Sequence, residues 1–386
     1  MTTTTLSSGE TRKIDPRETA RLVGVDAARG LAVLGMFAAH TGPPQGPLHA
    51  LVAGRSAALF AVLAGLSIAL LSGGANPATG RSAAPRIAVR AVVLFVLGLA
   101  LTALQTPVMV ILTSYAVLFL LSIPLLRLRS AALAVAAAVL AVAGPLVSFL
   151  VRSAMPPQQE LGVTPRFESF GSWEAAGTAL QHVLLTGAYP VLTWLPFVLA
   201  GMALGRLDLR AVRGRLVLVG GGLALLGYGG SWLAMHVFGG RDRVLELFGG
   251  ALPPEVVDAT LATGFGAVPT TDPIYLLSAG AHSGSPVEII GATGVAVLVI
   301  GLCLLAERAG ALLLPIASVG ALALTSYAGH IVALAAIGLP ASWASWLVLT
   351  AITLVCATLW RTLLGRGPLE WALHHLSSWQ RSQRPA

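Results

Sequence analysis

Apolar windows of about 20 residues recur from near the N-terminus to the C-terminus of this 386-residue chain, each long enough to cross a hydrocarbon core of roughly 30 Å. No other feature constrains the fold as strongly, because a backbone in lipid must satisfy its own hydrogen bonds, as a helix does. Ten windows stand out: 23–39, 51–71, 87–104, 108–126, 131–151, 182–204, 216–237, 287–306, 312–337 and 343–364. Only "QTP" separates the third from the fourth. With 56% hydrophobic and 10% charged residues, the chain lies outside the range of soluble domains. The expected fold is all-α: a polytopic membrane helical bundle of about ten transmembrane helices.

Charge orients that bundle. With the N-terminus in the cytoplasm, 18 of the 24 Lys and Arg residues fall on inner segments, as the positive-inside rule requires. An even number of crossings then leaves both termini cytoplasmic and the protein integral to the cytoplasmic (plasma) membrane. The net charge of +8 is accounted for by topology, and no motif points to nucleic acid. Residues 1–20 are polar and are expected to be a disordered cytoplasmic tail, with no cleaved signal peptide. Residues 21–364 form the bundle, and 365–386 a cytoplasmic C-terminal tail. Cys303 and Cys356 fall inside spans and are expected to be buried thiols.

Most connections are short, so the outer loops 152–181 and 239–285 are conspicuous. Long loops of this kind tend to cover binding sites. Within the second, "PPEVVDATLATG" has Pro at a helix start, acids in the first turn and Gly at the end, which predicts a short helix over the outer mouth. Glycine-rich stretches such as "GGGLALLGYGG" and "GMALG" suit close helix packing. "TSYA" occurs at 113–116 and 325–328, but short identities are expected in so apolar a chain.

Ionisable groups inside spans are costly and mark functional sites by default. At 100° per residue, Asp26, Arg29 and His40 share one face of the first span within roughly 60°. One stripe thus carries a charged pair near the cytoplasm and an imidazole near the outer surface. His40, His49, His182, His236, His282 and His330 all map to the outer side. In "TSYAGH", Ser326 and Tyr327 precede His330 by one helical turn and can meet it on one face. In "AHSGSPVEIIG", His282 and Ser283 stand just ahead of Glu288, and a His–carboxylate pair there can hold a general base. No HxxxH or HExxH spacing occurs, so no metal is expected. On the inner side, Arg206 belongs to "GRLDLRAVRGR", whose arginines anchor a membrane surface or fork onto phosphate. Tyr189 and Trp194, five residues apart on the sixth span, either line a passage or pack.

These residues resemble a known family. "RLVGVDAARGLAVLGMFAAH", then His49 in a short outer loop, then "GRSAALFAVLAGLSIAL" are similar to the start of heparan-α-glucosaminide N-acetyltransferase-like proteins and related bacterial members of the transmembrane acyltransferase superfamily. "YPVLTWLPFVLAGMALGRLDL", "HSGSPVEIIGATG" and "LALTSYAGHIVAL" resemble later blocks of the bacterial, actinobacterial-type branch. The resemblance implies acyl transfer across the bilayer, from cytoplasmic acetyl-CoA or another acyl-CoA to an amine or hydroxyl on an extracytoplasmic sugar or envelope component. Membrane lipids, acyl-CoA and that acceptor are the implied partners. A histidine in the outer loop after the first span is held catalytic in eukaryotic relatives, and His49 occupies that place. The large luminal domain of those relatives is missing here.

On this reading Asp26, Arg29 and Arg206 border an inner mouth for the CoA phosphates, and Tyr189 and Trp194 line the passage. His49, His282, His40 and His330 are the catalytic candidates, with Ser283, Glu288 and Tyr327 facing substrate. The competing class is a multi-pass transporter or flippase. Proton-coupled transporters place acids near the midplane, whereas Asp26 and Glu288 lie near opposite ends of their spans.

Overall fold

The computed structural model describes residues 22–77, 83–156 and 161–378. The expected tail at 1–20, Arg81 and the last residues of the C-terminal tail lie outside the described residues. The described residues are mostly helical: α1 Val23–Thr41, α2 Pro47–Val52, α3 Arg55–Leu71, α4 Ala84–Thr102, α5 Leu112–Ser122, α6 Ser130–Ser153, α7 Trp173–Gln181, α8 Val191–Leu204, α9 Leu209–Ala224, α10 Gly230–Trp232, α11 Gly240–Leu247, α12 Pro254–Ala262, α13 Pro286–Leu305, α14 Leu314–Ala321, α15 Ala323–Ile337, α16 Trp343–Leu363 and α17 Pro368–Ser378. Among the described residues the β pairing is confined to two isolated bridges, Val163 with Gly187 and Thr263 with Ala281.

Among the described residues, six stretches are long and apolar enough to cross a membrane by length and composition: Pro47–Leu71, Ala84–Thr102, Ser130–Ser153, Leu209–Val237, Pro286–Ala321 and Trp343–Leu363. Leu112–Leu125, Val191–Leu204 and Ala323–Ile337 are apolar but shorter. α1 is diluted by Asp26, Arg29 and His40 and is not among the six. Val92, Val96, Val135, Leu218, Leu225, Ile352 and Val355 turn outward into solvent. Such a belt has no place on a soluble surface and suits hydrocarbon.

Three spans are interrupted where the sequence pattern runs smoothly. Between α4 and α5 the chain unwinds over nine residues, 103–111, rather than three, with Gln105 at φ 53° and Pro107 behind it. Val110 and Ile111 are nevertheless fully buried. Side chains serve this backbone: the Tyr189 hydroxyl donates to the Met109 carbonyl at 3.0 Å, and the Ile111 amide donates to the Tyr327 hydroxyl at 3.4 Å. The sixth span is a π turn, His182–Thr186, then an extended stretch before α8. The ninth breaks at Leu322 between α14 and α15. Freed backbone groups deep in a bundle must find new partners, and each break lies against the site described below.

α13 packs along α9, α3 along α8, α6 along α8, and α1 along α14. Two glycines set the α3–α8 spacing. A Cβ on Gly65 would lie 2.0 Å from the Val198 carbonyl oxygen, and one on Gly201 would lie 1.8 Å from that of Val62. The backbones therefore touch, as small residues permit. The predicted helix in the second outer loop is present as α12. In the expected 365–386 tail, α17 folds back against α4 and α15, so much of that segment is structured.

Candidate active site

At the end of the bundle that the charge pattern assigns to the inner side, a cavity of about 250 Å³ lies between α1, α3, α4, α5, the α14–α15 break and α17. Its polar wall is Arg29, Ser67, Arg90 and Glu370, and its apolar wall includes Phe60, Leu94, Tyr115 and Phe119. Asp26 is buried one turn before Arg29 and pairs with it at 3.0 Å. The other arm of the guanidinium donates to Ser67 Oγ at 3.1 Å. This fork is held in one orientation with its face toward the cavity. Glu370 of α17 closes the opposite wall by accepting from the Leu324 and Thr325 amides at 2.7 and 3.1 Å and from Thr325 Oγ1 at 2.6 Å. It thereby caps α15, whose first amides the break leaves without helical acceptors.

From this cavity a file of rings leads outward. Phe119 faces Tyr115 at 6.4 Å between centroids, Tyr115 faces Phe60 at 5.8 Å, Phe60 faces Tyr327 at 6.2 Å, Tyr327 meets His330 at 5.3 Å, and His330 stacks on His40 at 5.2 Å. His40 Nδ1 and His330 Nε2 share a hydrogen bond at 3.0 Å. His330 Nδ1 meets the Tyr327 carbonyl. A carbonyl only accepts, so His330 carries its proton on Nδ1 and offers the Nε2 lone pair to His40 Nδ1–H. His40 Nε2 is left as a lone pair.

His40 is within electrostatic reach of His282, and His282 of His49. His282 sits in the loop before α13 with φ at 59°, a conformation uncommon outside glycine and found disproportionately at functional sites. Its ring lies against Tyr189 at 5.6 Å and Trp194 at 6.1 Å. Burial, and then the neighbouring His49, push His282 down to about 4, so it is neutral at pH 7. Nδ1 of both His49 and His282 is buried with no hydrogen-bond partner among the described residues.

His49, on α2, opens onto an outer cavity of about 900 Å³ roofed by α12 and the 278–281 loop. Arg55, Tyr228, Trp232, His236 and the Arg241–Asp258 pair complete its lining. The Arg55 guanidinium lies 4.4 Å above the Tyr228 ring. Arg241 forks onto both Asp258 oxygens at 2.7 and 2.9 Å, which holds that carboxyl below its usual range.

The structure gathers most of the sequence candidates. Asp26 and Arg29 are at the inner cavity; Tyr327, His330 and His40 form the file; Tyr189, Trp194, His282 and His49 continue it. Three others sit differently. Glu288 is buried at the start of α13 beside Arg55 and the Gly284 amide, while His282 packs on rings. Ser283 is stitched into its own turn through Ser278 and Ser285. Arg206 lies away from the inner cavity, and its guanidinium donates to the carbonyls of Ala69 and Gly74 at 2.9 Å, to Ser72 Oγ at 3.0 Å and to the Leu126 carbonyl. Sequence reasoning passed over Phe60, Tyr115, Arg55 and Glu370, whereas Arg90 belongs to the basic stretch "RSAAPRIAVR", whose arginines suit a membrane surface or a phosphate. The one available signal was the duplicated "TSYA", whose tyrosines, Tyr115 and Tyr327, both stack on Phe60.

Comparison with known proteins agrees with the resemblance. The family model described as heparan-alpha-glucosaminide N-acetyltransferase, catalytic, matches residues 21–219, just over half of the chain. That segment holds both walls of α3–α8, the inner arginines, His40 and His49; His282 and His330 lie beyond it. No curated protein matches the chain. The chain belongs to the heparan-alpha-glucosaminide N-acetyltransferase catalytic family, a family of transmembrane acetyltransferases.

Proposed function

We propose that this protein moves an acyl group, acetyl foremost, from acyl-CoA on the cytoplasmic side to an amine or hydroxyl of a sugar or envelope component outside. The bundle then crosses the membrane ten times with both termini cytoplasmic, in the cytoplasmic membrane. The observation that carries this reading is the unbroken ring file from the Arg29–Arg90 cavity to the outer histidines. A phosphate-bearing donor suits two guanidiniums at the inner mouth. Its slender arm suits an aromatic passage, and its thioester then meets the outer imidazoles, of which His282 is neutral at pH 7.

The chemistry assigned to the residues is acid–base. The acceptor nitrogen or oxygen bonds to the thioester carbonyl carbon, and the carbon–sulfur bond breaks. The acceptor proton passes to an imidazole nitrogen of His49 or His282 and is returned to the departing thiolate. His330 fixes the tautomer of His40 and holds it as a second proton acceptor beside His282. Positioned bases of this kind contribute about 10²–10⁴ in rate.

Titration of detergent-purified protein with acetyl-CoA and longer acyl-CoAs, followed by thermal stability, tests the reading. Saturable stabilisation that weakens in Arg29→Ala is expected. No response from folded protein would overturn it and leave the transporter class.

A further inference from the structure

Three phenols line the ring file and its continuation: Tyr115 and Tyr327, which both stack on Phe60, and Tyr189, which packs on Trp194 and His282. Two of them are used by the unwound 103–111 segment. Tyr189 donates to the Met109 carbonyl and Tyr327 accepts from the Ile111 amide. The third is not. Tyr115 is 2% exposed, and its hydroxyl is buried without a hydrogen-bond partner among the described residues. Leaving a buried hydroxyl unmade is expensive, and most native buried polar groups are paired. Phe60 and Phe119, which flank the Tyr115 ring, cannot serve it, and Leu94 and Leu112 are among the apolar residues of the cavity that the ring lines. Tyr115 stands in the first turn of α5 and lines the inner cavity. The charged groups Arg29, Arg90 and Glu370 line the same cavity.

We propose that the Tyr115 hydroxyl is a donor-binding group, which hydrogen-bonds a carbonyl oxygen of the acylated pantetheine arm as it passes from the inner cavity toward His330. The inference rests on the acyl-CoA reading above and adds to it a specific contact in the passage. A carbonyl is the fitting partner because the phenol O–H is a donor lacking an acceptor, and the arm carries neutral carbonyls at its two amides and its thioester. The apolar walls around Tyr115 exclude a charged ligand group beside it, so the phosphates stay with the arginines.

The test is Tyr115→Phe in the full-length protein, with Tyr189→Phe as comparator. Thermal stability is measured without ligand and during titration with CoA and with acetyl-CoA. Removing a hydroxyl that bonds nothing in the protein leaves the melting temperature of Tyr115→Phe unchanged or slightly raised, whereas Tyr189→Phe, which loses a bond to Met109, melts lower. Donor binding by Tyr115→Phe weakens about three- to tenfold, the worth of one buried neutral hydrogen bond. Weakening of both ligands assigns the contact to an amide of the arm; weakening of acetyl-CoA alone assigns it to the thioester. Binding equal to that of the parent protein overturns the proposal and leaves the hydroxyl served by water alone. So does a clear loss of stability in Tyr115→Phe, which marks a structural role. Failure of the parent protein to bind either ligand defeats the acyl-CoA reading itself, a separate outcome.

Discussion

His40, at the outer end of α1, and His330, in α15, share a hydrogen bond of 3.0 Å between nearly parallel rings. Residues almost 300 positions apart are thus locked into one orientation, and the Tyr327 carbonyl fixes which nitrogen carries each proton. His40→Ala is expected to lower transfer by about 10²-fold or more if the pair acts in proton transfer. His330→Ala, acting only through His40, falls by a smaller factor. The double variant is no worse than His40→Ala, because the two residues act as a unit. Steady-state rates of the three variants decide this, and additive losses would refute the pairing.

At the inner cavity, Arg29→Ala should raise the acyl-CoA concentration needed for half-maximal stabilisation by about 10- to 100-fold, the range for a charge-assisted hydrogen bond. Arg29→Lys recovers part of it, since a point charge replaces a fork. Titration of both variants against CoA and against 3′-dephospho-CoA measures the loss.

Acid sensitivity follows from His282. Its folded value of about 4 lies below the unfolded 6.5, so between these values the unfolded chain binds a proton that the native chain refuses. Stability is therefore full above pH 6.5, falls as the pH drops through the window, and levels off below about 4. The loss from this one residue is on the order of 3 kcal/mol. Melting temperatures of the parent and of His282→Asn across pH 4–7.5 check it; the variant should show the shallower slope.

Arg206→Ala is expected to cut thermal stability sharply, because three backbone carbonyls and Ser72 lose their donor together. Removing one partner of a buried charged hydrogen bond costs about 2–5 kcal/mol. Donor affinity per folded molecule should stay within twofold. A larger change in affinity with stability preserved would return Arg206 to the donor site.

Helix-facing logic carried far in this chain. The stripe of Asp26, Arg29 and His40 on one face of α1 follows from the helical repeat alone, and so does the union of Tyr327 with His330. What the repeat cannot convey is which helix lies opposite. His40 meets His330 only because Gly30 and Gly320 let α1 and α14 touch, a long-range contact with no local signature. The breaks were equally hidden. "VMVI" at 108–111 reads as helix by apolarity, yet it unwinds because Pro107 removes a donor and two tyrosine hydroxyls remote in sequence take up its backbone. Arg206 had the opposite fate: an arginine in a basic inner loop looks like a phosphate ligand until its carbonyl partners are in view.

Glu370 ties the start of α15 to α17, a helix made well after it. α15 enters the bundle with the amides of Leu324 and Thr325 bare, and their acceptor arrives only with α17, some 45 residues later in synthesis. Until then the inner wall is open, and a polar helix end faces an apolar interior at a cost. Closure of the inner cavity therefore depends on a single carboxylate carried some 45 residues further along the chain than the amides it caps.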